Sequence, residues 1–349
     1  MSEKIPCSVS ILTFNSEKGL AACLESLKDF GDIVVCDGNS TDRTREIAEK
    51  FGARVISQYE TDEPNTPCAS DKAAVRERAV AASKYDWRFF MDSDDTLSSG
   101  GVEEIRAITQ NPQPSHFVWR MPTRIFIDGK EILHEATYPS YQTRLVHSSV
   151  GARFKNPVHD HLVWDSALFS LGTLSSTYDF HWSRERVANY WPYLRGYAQR
   201  EIQVEGADSF SGLVSWSARR VKTICGYLLW RLPSMYVRHG FKDSMPLSIE
   251  LTIVRYHAHL LFGMIGKYIR TRFFVVLFSE TLRGKDVNRI LSNIAVVEHE
   301  AYGRVLDVGG GHDASYWRYL STRRWFRKQT IDIDPKVKPD LVIDLEKEN

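Results

Sequence analysis

The sequence has few cysteines and no pattern among them. Its five, Cys7, Cys23, Cys36, Cys68 and Cys225, form an odd and scattered set without a CxxC spacing. That excludes a disulfide framework and a thiolate zinc site, and suits a reduced chain. Long apolar runs are also missing: the greasiest stretch, Phe273 to Phe278, falls far short of the roughly 18–20 residues that span a bilayer. The opening Met1-Ser2-Glu3-Lys4-Ile5-Pro6 lacks the charged-then-apolar pattern of a secretory leader. Internal repeats and low-complexity tracts are absent. These absences point to a cytoplasmic protein that is neither secreted nor integral to a membrane.

What is present is ordinary globular material. The chain has 349 residues, 43% hydrophobic and 26% charged, enough for two domains or slightly more. The net charge of +1 hides an uneven distribution. Between Arg219 and Arg283 stand eleven Lys or Arg against three acids, Asp243, Glu250 and Glu280. The middle is therefore basic and the remainder acidic on balance.

The first hundred residues alternate strand and helix. Ser8–Phe14, Asp32–Cys36, Ala53–Ser57 and Trp87–Met91 read as buried strands. Helices are expected between them: one entered through Asn15-Ser16, one capped by Ser40 or Thr41 and ended by Gly52, and an Ala-rich one over Ala69–Ser83 carrying Lys72 and Arg76. This order predicts a parallel α/β sheet with ligands at the carboxyl ends of its strands. Asn15, Asp37 and the run Asp92-Ser93-Asp94-Asp95 fall at those ends. Beyond Gly101, strands are expected at His116–Arg120, Arg124–Ile127, Glu131–Leu133, Tyr141–His147 and Leu168–Leu174. From Ser183 the chain reads as helical and aromatic.

Aspartates after a strand are often no more than a turn. In series, however, SILTFN (Ser10–Asn15), VVCDGNSTDRT (Val34–Thr44) and FFMDSDD (Phe89–Asp95) resemble the family-2 glycosyltransferases, which have the GT-A fold. They are most similar to the branch related to lipopolysaccharide core glucosyltransferases. The resemblance is good over the first hundred residues and weaker to about residue 200. It implies a Rossmann-like, mostly parallel sheet and a nucleotide-sugar donor, expected to be UDP-linked. Thr13 and Asn15 would line the nucleoside pocket, and Asp37 would meet base or ribose. Many members have an Asp where this chain has Gly38. Lys72 and Arg76 would face the diphosphate, where cations offset leaving-group charge. Asp92 and Asp94 would hold ribose and a divalent metal, Mn2+ or Mg2+, whose preference is for hard oxygen ligands. Arg144 would touch donor phosphate or acceptor.

An inverting transfer needs a carboxylate to take the acceptor proton. Asp160, in Asn156-Pro157-Val158-His159-Asp160-His161-Leu162, resembles the Val-His-Glu motif of the same branch, with Asp replacing Glu, and is the first choice. Asp95 is the second. His181 resembles a recurrent His after the catalytic core that could add a metal or diphosphate contact.

Two segments remain. Trp230 to Arg272 interleaves aromatics with Lys, Arg and His, a composition suited to short amphipathic helices at an anionic membrane surface. A helical subdomain or dimer interface is the plainer alternative, and nucleic acid is not expected to bind. Val305-Leu306-Asp307-Val308-Gly309-Gly310-Gly311, then Asp332 and Asp344, resemble the start of a class I methyltransferase. So short a remnant is not expected to enclose S-adenosylmethionine. The expected division is thus 1–200 for the GT-A domain, 201–285 for the basic helical region and 286–349 for a linker and a partial Rossmann-like α/β fragment. The function expected is metal-dependent, inverting sugar transfer to a glycan or lipid-linked acceptor of the cell envelope, peripheral to the inner membrane face. Methyl transfer and a non-catalytic sugar-nucleotide scaffold are the rival readings.

Overall fold

The computed structural model describes residues 3–61, 63, 71–137, 140–156, 159–204, 210–270, 273–284, 287–296, 300–308, 315–318, 321–332, 334, 336 and 341–342. The sheet grows from β1 (Ile5–Thr13), a strand buried along nearly its whole length. Burial on both faces favours parallel pairing covered by helices on either side. After β1 come α1 (Leu20–Ser26), β2 (Phe30–Asp37), α2 (Thr44–Lys50), β3 (Arg54–Ser57), α3 (Lys72–Ala81) and β4 (Trp87–Asp92). β1 pairs in parallel with β2 on one side and β4 on the other, and β2 with β3.

The next elements are β5 (Asp95–Leu97), α4 (Ser99–Gln110), β6 (Val118–Ile127), β7 (Lys130–Ile132), β8 (Tyr141–His147), β9 (Arg153–Lys155), β10 (His161–Val163), β11 (Leu171–Thr173) and β12 (Tyr178–Trp182). The main sheet runs β3-β2-β1-β4-β8-β6-β12-β5, with β7 and β11 also on β6. β9 and β10 form a separate hairpin. The mostly parallel, Rossmann-like half of the sheet and its antiparallel extension agree with the GT-A expectation.

One side of the sheet packs Leu20, Cys23 and Leu24 of α1 and Ile105 of α4 against Ile5, Cys7, Val9 and Ile11. On the other, Val75 and Ala79 of α3 lie against Cys36, Leu12 and Ile56. Two local expectations change. α1 has Gly19 at its N-cap without a side-chain cap, and Ser16 serves the preceding loop instead. α2 is preceded by Arg43, and Asp42 rather than Ser40 or Thr41 accepts from the Thr44 amide. The strand interruption expected between Arg120 and Arg124 is also absent. β6 is continuous and exchanges partners at Pro122–Thr123, from β8 and β11 to β12 and β7. Pro122 lacks an N–H to donate, so this is where a ladder can change hands.

The chain continues with α5 (Arg184–Ala188), α6 (Tyr190–Val204), α7 (Phe210–Gly226), a π-helical turn over Tyr227–Arg231, α8 (Leu232–His239), α9 (Leu247–Arg270), α10 (Phe273–Leu282), α11 (Val287–Val296), β13 (Glu300–Val308), β14 (Ser321–Asp332) and β15 (Leu341–Val342). By contacts the chain divides into Met1–Leu194 with Cys225–Arg255, and Arg195–Ile224 with Tyr256–Asn349. In the second unit, buried Glu201 takes a 2.7 Å bond from Arg220 and one from the Tyr256 hydroxyl. Its β13-β14-β15 sheet is parallel, and Asp307 accepts from Trp317 and Tyr316. The glycine turn at 309–311 and Asp344 lie outside the described residues, as does Cys68. Among the described residues, no helix is long and apolar enough to cross a membrane.

At the strand ends remote from Asp37, Asp32 ties the sheet together. It is 4% exposed and accepts from Ser8 Oγ (2.7 Å), Arg54 Nε (2.9 Å) and Nη2 (3.0 Å), and the Lys84 amide (3.1 Å). Asp32→Ala leaves several of these donors unpaired, and a loss of about 2–4 kcal/mol is expected in urea unfolding.

Candidate functional site

Parallel registry places the first two loop-bearing ends and the aspartate run in one row: Thr13 lies beside Asp37, and Leu12 beside Asp92. The loops after β1 and β2 then interlock. Asp37, 1% exposed, accepts from Thr13 Oγ1 (2.8 Å), Ser40 Oγ (2.6 Å) and the Ser40 amide (2.9 Å). Asn15 sits at φ 49° and exchanges bonds with Ser40 and Thr41, each 2.9 Å. Its short amide side chain tolerates this left-handed backbone and bonds locally. Thr13 and Asp37 are therefore internal braces, and the loops they brace form the rim. Gln58, which had no distinguishing sequence signal, is buried beneath them and donates to the Thr13 and Cys36 carbonyls at 3.0 Å each.

The aspartate run follows β4 directly. Gly19 abuts it so closely that an added Cβ would lie 3.1 Å from the Asp94 Cα and the Ser93 carbonyl oxygen. Asp92 is held from two sides. Arg76, on the buried side of α3, gives one oxygen a 2.6 Å bond. Arg144, on β8, approaches the other at 3.3 Å and also reaches the Phe90 carbonyl and the Tyr178 hydroxyl. Desolvation at this position works to raise the Asp92 carboxyl, but the two guanidiniums outweigh it and hold it far below the usual carboxylate range. Lys72 adds to the same positive field.

Arg76 also donates from Nε to Asp160 Oδ2 at 3.1 Å. A candidate base more than sixty residues downstream in sequence thereby joins the strand-end aspartates. The hairpin beside Asp160 is pinned to the same helix, where Glu77 accepts from the Phe154 amide (2.6 Å) and Arg153 (3.2 Å). His159 is described beside it, whereas Pro157 and Val158 lie outside the described residues.

Asp95 is different. It is 1% exposed, and its Oδ2 has no hydrogen bond, with Arg144 at 3.8 Å. Burial, reinforced by neighbouring Asp92, pushes its carboxyl well above the ordinary value in spite of Arg144. Asp94 bonds Arg186, whose guanidinium lies over the rings of Trp182 and Tyr193. Arg186 and Tyr178 belong to the site although nothing in their local spacing announces it. His181 bonds Thr96 at 2.7 Å and stacks on Phe126.

As a divalent-cation site, Asp92 and Asp94 provide hard oxygen donors whose side chains are 41% and 42% exposed. Among the described residues no three His, Cys, Asp or Glu side chains gather as a metal set. The pair fits a cation whose remaining ligands come from a bound donor and water.

The Asp95 carboxyl has a consequence for stability. Its raised native value means that the folded chain keeps a proton that the unfolded chain releases near pH 3.9. Its contribution therefore falls as pH rises from there to the native value. Asp95→Asn, neutral throughout, should gain in melting temperature relative to wild type as pH is raised from 4 towards 8. Parallel melts of the two proteins check this.

Residues 8–148 match the family model described as glycosyl transferase family 2. A TPR repeat-containing protein of Synechococcus elongatus is 27% identical over 241 residues, covering 67% of this chain and 53% of that protein. The lipopolysaccharide core biosynthesis glycosyltransferase LpsC of Rhizobium meliloti is 26% identical over 167 residues, 47% of this chain and 59% of LpsC. The chain thus spans little more than half the length of these curated relatives. A solved structure of S. aureus TarS residues 1–349 with UDP aligns over 80% of this chain and 92% of that one, at 15% identity and a TM-score of 0.38. The motifs read at the strand ends all fall within residues 8–148, and over that segment the chain is similar to the family-2 glycosyltransferases.

Proposed function

We propose that the chain transfers a sugar, with inversion, from a UDP-linked donor to a hydroxyl of a glycan or lipid-linked acceptor in cell-envelope polysaccharide synthesis. One observation carries this reading: Arg76 bonds both Asp92, at the end of β4, and Asp160. Leaving-group and acceptor chemistry can therefore be served by one cluster. The lipopolysaccharide relative supports the choice of acceptor class.

The rim built by Asn15, Ser40 and Thr41 receives the nucleoside. Lys72, Arg76 and Arg144 face the diphosphate and offset the charge that grows on it as the glycosidic bond breaks. Asp92 and Asp94 hold the divalent ion, Mg2+ or Mn2+, which when bound adds Lewis-acid stabilisation of the leaving phosphate. Asp160 takes the proton from the acceptor hydroxyl. Arg76 fixes its Oδ2 and no described residue bonds its Oδ1, so the second oxygen serves as the base. Asp95, enclosed and favouring its protonated form, supports Arg144. The basic region within 201–285 brings the enzyme to the inner face of the membrane.

The test is release of UDP from UDP-sugars in the presence and absence of Mn2+ and acceptor extracts. Asp160→Asn should lower turnover about 10²–10⁴-fold with UDP affinity retained. Asp94→Asn should abolish the metal-stimulated part. Unchanged turnover in Asp160→Asn removes this assignment of the base, and turnover unchanged in Asp94→Asn removes the metal role.

A further inference from the structure

A cavity of about 400 Å3 lies away from the aspartate cluster in sequence and within the first unit. One wall is the short segment after β7. The other is the π-helical turn and α8. Both walls are anchored. The Leu133 amide donates to the Asp243 carbonyl (2.9 Å), the Met245 amide to the His134 carbonyl (2.7 Å), and the Ala136 amide to Glu250 (3.0 Å). Leu232 and Met235 turn inward to Tyr227 and Ala136. Trp230, Arg231 and Arg238 line the space together with Met235, His134 and His239.

The chemistry of this lining is one-sided. The His134 and His239 rings stack with centroids 3.7 Å apart and planes 15° from parallel. Among the described residues, neither Arg231 nor Arg238 has an ion-pair partner. Glu135 is the single acid of the lining. Burial pushes its carboxyl up, which the Thr137 hydrogen bond opposes and Glu250 reinforces. In its neutral form it can donate to an oxygen rather than repel an anion. Unpaired guanidiniums in a concave, imidazole-lined space match the oxygens of a phosphate. Leu229, Trp230 and Val237 of this helical segment, with Phe241 just after it, are 76%, 72%, 85% and 71% exposed. Aromatic and aliphatic side chains beside basic ones suit the boundary between headgroups and acyl chains.

We infer that this cavity binds the phosphate of an anionic lipid headgroup while Leu229, Trp230, Val237 and Phe241 enter the adjoining apolar layer. The site deepens the proposed membrane-side reading, and rests on it only in taking a lipid as the source of the phosphate. Its test needs no sugar transfer, so either can fail alone.

The full chain is sedimented with phosphatidylcholine vesicles with and without phosphatidic acid. Binding is expected only to the vesicles containing phosphatidic acid, and to fall about tenfold or more in the Arg231→Ala/Arg238→Ala double variant. Trp230→Ala should weaken vesicle binding yet leave the heat of inorganic phosphate binding intact. Melting temperature and UDP affinity should stay at wild-type values in both variants. Equal binding to both vesicle types, or wild-type binding by the double variant, overturns the proposal. So does an equal loss in the control Lys50→Ala, which would mean diffuse charge attraction. Saturable binding of inorganic phosphate without any binding to vesicles overturns the lipid as its source.

Discussion

The buried guanidinium of Arg76 is the interaction on which the site depends. Placing it inside the protein, 6% exposed, carries a large desolvation cost that only nearby anions can offset. Asp92 and Asp160 supply them, the first at Nη2 and the second at Nε. One cation therefore welds the end of β4 to the start of β10. With either carboxylate removed, the other has to balance Arg76 alone. The same requirement orders the second tier: Arg144, also buried, needs Asp92 and stands on Tyr178.

This balance explains why the clustered aspartates behave unlike one another. Asp92 sits between two arginines and stays ionised. Asp95, three residues on, lies on a strand that turns it inward, where the negative charge of Asp92 and the loss of water favour a proton. Asp94 reaches outward to Arg186. Four positions of sequence thus hold an anchored anion, a half-exposed carboxylate and an enclosed carboxyl held above its ordinary value, and the differences come from burial and partners rather than residue type.

Much of this was legible beforehand. Alternating buried strands and helices pointed to the parallel half of the sheet, because a strand covered on both faces must be apolar nearly throughout. Thr13, Asn15, Asp37 and Asp92 were legible as strand-end residues for the same reason. The antiparallel half was harder to read. β12 was not among the expected strands, and the gap expected between Arg120 and Arg124 is continuous strand where β6 changes partner. Gln58, Tyr178 and Arg186 were illegible, since each acts through a neighbour distant in the chain. His181 is in place on β12 but engaged by Thr96 and Phe126.

The sequence by itself determined the parallel order and the residue types at its carboxyl ends, because pattern and strand period are local properties. Tertiary structure decided which charges meet. Whether Arg76 is a solvated helix residue or the bridge between two carboxylates depends on what α3 is packed against. Whether Arg231 and Arg238 are an ordinary basic surface or the wall of a cavity depends on the segment after β7, about a hundred residues earlier. Electrostatic energies are set by distance and desolvation, and both are properties of the folded chain alone.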